Sequence, residues 1–174
     1  MTDLMLPATH AVLTTLTAGD EVRLFGTIYT MRDVGHMRAL EYLEQHGVLP
    51  YSLAGQAVFY AGPTPSAAGR PFGAIGPTTA SRMDFATPAL LRAGITAMLG
   101  KGARSPEVVQ ACRETGSVYL AATGGAAAYL ASFVTAAGPV AWDDLGTEAL
   151  RKLTLDGLPA FVAVDAQGGS LYGG

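Results

Sequence analysis

The chain has 174 residues, of which 49% are hydrophobic and only 14% charged, with a formal net charge of −3. Soluble domains average about 25% charged residues, and low charge joined to mild hydrophobicity excludes a disordered segment. The acidic balance, with a pI near 5.5, leaves no electrostatic footprint for nucleic acid, and a single cysteine excludes a disulfide framework or an all-cysteine metal site within the chain.

The 30 alanines and 22 glycines give a surface short of charge, the composition expected of a domain with one covered face. This length predicts one domain over residues 1–174. At the N-terminus Asp3 stands where a secretory signal carries Lys or Arg, and no long apolar run follows, so the chain reads as cytoplasmic. The run Thr115–Trp142 carries no charge. Its alanines are too weakly apolar, and Gly124, Gly125 and Pro139 too badly placed, for a membrane span. With the charge-free run Val48–Gly69 it is a candidate for core and contact surface.

In chain order, Glu21–Thr30 is rich in Val, Ile, Phe and Tyr and predicts a strand entered through the turn Ala18-Gly19-Asp20. Asp33 reads as the N-cap of a helix with apolar positions at Met37, Leu40 and Leu43 and a stop at Gly47. Gln56–Ala61 is a short strand, and Gly62–Gly76 a long loop of the kind that is uncommon unless functional. Thr87-Pro88 reads as a cap followed by a first-turn proline, with Gly94 closing that helix; Ser105-Pro106 repeats the device up to Gly116. Ile95–Leu99, Val118–Ala122 and Ala160–Asp165 are strands, and Gly124-Gly125 opens an Ala-rich helix. Strands alternating with short helices predict an α/β domain with a mixed sheet.

Four segments put reactive groups at element ends, where functional groups concentrate. Arg32 precedes a helix N-terminus, whose free N–H groups and positive dipole end favour an anion; the same residues also read as a plain cap and a surface ion pair. Gly76-Pro77 shapes a turn followed by the hydroxyls of Thr78, Thr79 and Ser81 and by Arg82, an anion cradle or a solvated turn. Lys101, one of two lysines, lies between Gly100 and Gly102, and Thr123-Gly124-Gly125 marks a strand-to-helix junction. His10, His36 and His46 lack metal-ligand spacing, there is no G-x-S-x-G elbow, and Cys112 reads as a small packed residue within a helix.

The strings GTIYTMRDVGH, VFYAGP, GPTTASRMD, GKG, YLAATGGAAAYLA and LPAFVAVDAQGGSLY occur here in that order. Together they resemble the β subunit, or C-terminal domain, of the class I iron–sulfur hydro-lyases, the family of class I fumarase and L-tartrate dehydratase. The GPTTASRMD string is the specific one, and the glycine pair followed by alanines, with the ending PAFVAVD, is more similar to the fumarase branch. The resemblance implies a swivelling β/β/α domain and reversible hydration of fumarate to L-malate, with tartrate or mesaconate as alternative substrates. It implies Thr78 and Lys101 as catalytic groups and Arg32, Thr78, Thr79, Arg82 and Lys101 as substrate contacts. Asp33, His36, Asp84, Gly124 and Gly125 would surround them, Asp33 capping the helix behind Arg32 and His36 orienting its neighbours. It also implies a [4Fe–4S] cluster with one open iron, which needs three cysteine thiolates. With Cys112 alone, the cluster is expected on an α subunit, joined to this chain in a heterodimer or heterotetramer. A non-catalytic binding or assembly module of the same fold is the competing expectation.

Overall fold

The computed structural model describes residues 1–66 and 69–173. Its centre is β2 (Glu21–Thr30), the apolar, β-branched run with the strongest strand signal. One edge of β2 carries β1 (Thr2–Leu6) and then β3 (Ala57–Phe59), both parallel to it; the other edge pairs antiparallel along its whole length with β7 (Leu150–Val164). From β3 the parallel sheet continues through β4 (Ala97–Gly100) and β5 (Val118–Ala121), and β5 pairs with the C-terminal part of β7. The pairings β2–β3–β4–β5–β7–β2 therefore close on themselves, with β1 outside the ring on β2 and β6 (Val134–Ala141) outside it on β7. The bend this needs is visible in β7. Gly157, at φ +78°, is an extra residue between the pairs Leu24–Leu158 and Phe25–Asp156, a bulge that bends and twists the strand.

Side-chain alternation along the strands divides the core in two. Ala57, Phe59, Ala97, Leu99, Val118 and Leu120 point inward with Val22, Leu24, Ile28, Leu153 and Leu155 of the β2–β7 ribbon. The intervening Val58, Met98 and Tyr119 point outward, against the helices. Buried on both faces, the parallel strands read as near-continuous apolar runs. The helical layer holds α2 (Asp33–His46), α3 (Thr87–Arg92) and α4 (Pro106–Thr115), which contribute Ala39, Leu90, Leu91, Val108, Ala111 and Cys112 to that second core. Two short helices, α1 (His10–Leu13) and α5 (Ala127–Ala131), complete the set.

The expected α/β class and mixed sheet are observed, with corrections. Asp33 is not the cap of α2. Arg32 occupies that position in an extended conformation and Asp33 is the first helical residue, its carboxylate engaged elsewhere. Thr87 likewise begins α3 rather than capping it, because its hydroxyl donates to the carbonyl of Met83. The Ser105 cap is as expected, its hydroxyl accepting from the Val108 N–H at 3.4 Å, and Gly47 and Gly116 end their helices in the left-handed conformation. Gly124-Gly125 forms a turn, and α5 begins only at Ala127. The strand expected at Ala160–Asp165 is the last third of a 15-residue strand. The Gly62–Gly76 segment forms no helix or strand among its described residues; Ala67 and Ala68 lie outside them. Of the charge-free runs, Leu49, Leu53, Ala57–Ala61 and Val118–Leu120 are core, whereas Thr135–Ala137, Pro139 and Val140 of β6 are exposed. Among the described residues no helix is long and apolar enough to cross a membrane.

Candidate active site

Parallel α/β sheets place ligands at the carboxyl ends of their strands, and the anticipated residues gather there. Arg32 follows β2, Lys101 follows β4, and Thr123-Gly124-Gly125 follows β5. The turn carrying Thr78 and Thr79 is drawn across the gap between β3 and β4. The Thr78 N–H donates to the Tyr60 carbonyl at 2.6 Å, the Lys101 N–H to the Thr78 carbonyl at 3.3 Å and the Ala80 N–H to the Lys101 carbonyl at 2.9 Å. Isolated bridges Ala61–Pro77 and Thr79–Lys101 continue the sheet through this turn. Gly100 makes the approach possible. A β-carbon there would lie 3.0 Å from the Tyr60 ring, 3.2 Å from the Ala80 methyl and 3.4 Å from the Thr78 carbonyl. Gly124 faces the Lys101 stem, its β-carbon position 3.5 Å from Cδ and 4.0 Å from Nζ.

Thr78 is half-buried and Thr79 exposed. Among the described residues, no side chain bonds to the Thr78 or Thr79 hydroxyls or to the Lys101 ammonium. Two hydroxyls on this turn and an ammonium on the segment bridged to it, unpartnered among the described residues, are suited to an anionic ligand.

One 3₁₀ turn onward (Ala80–Met83), Arg82 projects to the other half of the site. Its guanidinium grips Asp33 side-on, Nε donating to Oδ1 and Nη2 to Oδ2, both at 2.9 Å. Arg32 shares that carboxylate at 3.9 Å and lies 3.6 Å from Glu148. The opposite oxygen of Glu148 accepts the Val34 N–H at 3.2 Å, satisfying a free donor at the start of α2. His36 sits beneath, 1% exposed. Its Nδ1 donates to the Arg32 carbonyl at 2.8 Å, and its ring packs edge-on against Tyr60 at 5.0 Å. Burial drives its pKa down to about 4, assisted by the nearby Arg104 charge and opposed by the Arg32 carbonyl and Asp33. The imidazole is therefore a neutral donor.

Asp84 stands behind the site. It accepts Arg104 Nε and the Ser105 N–H, each at 2.7 Å, and so ties the 3₁₀ turn to the start of α4. A β-carbon added at Gly125 would meet nothing within 4 Å, and its φ is +80°.

Arg104 and Glu148 were not foreseen. Arg104, with its side chain 0% exposed, runs between the Tyr60 and Tyr119 rings at 5.2 and 4.8 Å and donates to Tyr60 Oη and Thr87 Oγ1. A cation just before a helix N-terminus opposes the helix dipole; that mismatch in the string Ala103-Arg104-Ser105-Pro106 was a legible sign of a carboxylate partner. Glu148 carries no such sign, because its partners lie more than 100 residues away in sequence.

A family profile described as "Fumarase C-terminus" matches residues 1–174. The chain belongs to this family. It is 39% identical over 151 residues to "Fumarate hydratase class I, anaerobic" of Escherichia coli and 40% identical over the same length to "Fumarate hydratase 1, mitochondrial" of Leishmania major. Each alignment covers 86% of this chain but 28% of the relative, so the chain spans little more than a quarter of those enzymes. A third relative, "Putative L(+)-tartrate dehydratase subunit beta" of Methanocaldococcus jannaschii, is 37% identical over 163 residues, covering 90% of this chain and 84% of that subunit.

Proposed function

We propose that this chain is the β subunit of a class I hydro-lyase that interconverts fumarate and L-malate in the cytoplasm, with a cluster-bearing α subunit as its partner. What supports this reading is the placement of Arg32 after β2 and of Lys101 after β4, the backbone bridge from Thr79 to Lys101, and Arg82 one 3₁₀ turn beyond Thr79, in a chain of the fumarase C-terminus family. The layering of ribbon, parallel sheet and helices also suits a swivelling β/β/α domain.

In this reading Arg32, Arg82 and Lys101 hold the two carboxylates of the substrate through charge-assisted hydrogen bonds, each worth about 1.5–3 kcal/mol. Thr79 bonds to the substrate. Thr78 removes the proton from the carbon beside one carboxylate; hydroxide leaves from the neighbouring carbon, takes a proton supplied by the α subunit and departs as water, and the carbon–carbon double bond forms. A threonine hydroxyl is a weak base, and the cations around it favour its deprotonated form.

A [4Fe–4S] cluster does not fit this chain's own residues. Cys112 is its single cysteine, is buried, and has its thiol pKa pushed up to about 12 by that burial. No group of three His, Cys, Asp or Glu side chains stands ready as ligands among the described residues. In this reading the cluster belongs to the α subunit.

Combining the chain with its α subunit anaerobically and following fumarate hydration tests the reading. Thr78→Ala is expected to lower kcat by about a hundredfold or more, and turnover within a few-fold of wild type would remove Thr78 from the mechanism. The match over 84% of a tartrate dehydratase β subunit makes L-tartrate the second substrate to assay. An intact complex with no turnover of either would favour a binding module.

A further inference from the structure

We infer that Asp33 and Glu148 form a carboxylate clamp that grips the Nε–Nη2 edge of both site arginines and leaves their opposite edges to the ligand. The inference rests on the proposed function for the identity of that ligand, but the clamp itself is a property of this chain.

The same edge faces carboxylate at both arginines, hydrogen-bonded at Arg82 and at longer range at Arg32. Arg82 spends its Nε and Nη2 protons on the two oxygens of Asp33, at 2.9 Å each. Arg32 turns the corresponding edge to Asp33 and to a second acid, Nε 3.9 Å from Asp33 and Nη2 3.6 Å from Glu148. A guanidinium has five N–H donors in a rigid plane. A side-on pair therefore fixes that plane while both Nη1 protons stay available, the arrangement needed to receive a second carboxylate. The Arg32 Nε is buried without a hydrogen-bond partner, so the two acids hold it by charge rather than by close bonding. Its Nη1 lies on the Gly62 side, 2.8 Å from where a β-carbon would stand.

Charge explains why two acids are needed. Arg32 and Arg82 both reach Asp33 Oδ2, so their guanidiniums are close neighbours that repel. Asp33 sits between them and Glu148 closes the far side. Glu148 is itself fixed at its second oxygen by the Val34 N–H. It arrives from the segment Asp143–Glu148 that joins β6 to β7, so the position of the outer ribbon is read directly into the position of Arg32. Both acids are positioning residues and touch no substrate.

Two readouts test the clamp. The first is solvent exchange of the arginine Nε–H protons in the chain alone, followed by NMR. Asp33→Asn keeps the side-chain shape and is expected to speed exchange at Arg82 by about tenfold or more, the scale of losing a charge-assisted pair. Glu148→Gln keeps an acceptor for Val34 and is expected to change Arg32 alone. The second readout is steady-state kinetics of the complex with the α subunit. Asp33→Asn should raise KM for the dicarboxylate by about tenfold, and Glu148→Gln by a smaller factor, with kcat little changed, because ground-state and transition-state carboxylates lose the same contacts. Unchanged exchange at Arg82 in Asp33→Asn, or a fall in kcat with KM constant, overturns the proposal. If the wild-type complex turns over no dicarboxylate, the functional reading fails, and the exchange data on the chain alone still decide whether the clamp exists.

Discussion

Acidification should strike this protein first at His36. His36 is 1% exposed and lines a small pocket together with Val58, Tyr60, Thr87, Leu90, Leu91, Ile95 and Met98, with Nδ1 spent on the Arg32 carbonyl. Protonation would place a charge in that largely apolar pocket, with the Arg104 charge already nearby and Asp33 opposing it. The folded-state pKa is about 4 against 6.5 for the free side chain. Between those values the unfolded chain binds a proton that the folded chain refuses. Stability contributed by the neutral ring is therefore complete above the unfolded pKa and is lost as pH falls towards the folded one. Integrating the linkage from pH 7 to pH 5 gives a loss of about 2 kcal/mol from this residue. Urea unfolding at pH 7, 6 and 5 measures it, with His36→Asn as the control, since asparagine can donate to the Arg32 carbonyl and does not titrate. The variant will be less stable at pH 7 for lost packing, but its stability should decline less steeply with acid, by about 2 kcal/mol across the interval. Parallel declines in the two proteins would refute the argument.

Asp84→Asn leaves the buried Arg104 charge without its counter-ion, and urea denaturation should show a loss of about 3–5 kcal/mol; a loss under about 1 kcal/mol would mean that the tyrosine rings and Thr87 suffice. In the complex, Lys101→Met should raise KM for fumarate by about tenfold or more through loss of one charge-assisted contact, and an unchanged KM would place Lys101 outside the substrate. Gly62→Ala would put a methyl 2.8 Å from Arg32 Nη1 and 3.1 Å from the Thr147 carbonyl. The arginine end can move aside, so thermal melting should shift little while KM rises several-fold; a large drop in melting temperature with normal KM would show that the backbone, not Arg32, yields.

Much of the candidate site is proposed from sequence alone, because its residues sit where local chemistry is strongest. Thr78, Thr79, Arg82 and Lys101 lie on glycine- and proline-shaped turns at element ends, and family resemblance tied those turns together. Strands β2 to β5 and the α4 cap were legible for the same reason: short apolar runs, Ser-Pro at a helix start and glycine at its end are local signals. The outer ribbon was not legible. Strand β6 is Val-Thr-Ala-Ala-Gly-Pro-Val-Ala, poor in β-formers and broken by Gly138 and Pro139, and it is a strand because β7 lends it one edge. Strand β1 escaped notice because its partner is β2, 20 residues away.

The amino-acid sequence alone carries the α/β class, the likeness to one family, the shortage of charge, the cations and hydroxyls at strand ends, and one cysteine where a [4Fe–4S] cluster needs three. Tertiary structure alone decided which charges meet. Asp33 looked like a cap until Arg82, 49 residues on, took both its oxygens. Glu148 had no role until the segment between β6 and β7 carried it to Arg32 and Val34, more than 100 residues back. Periodicity and capping are written in neighbours within a turn or a pleat, whereas an ion pair depends on where whole elements come to rest.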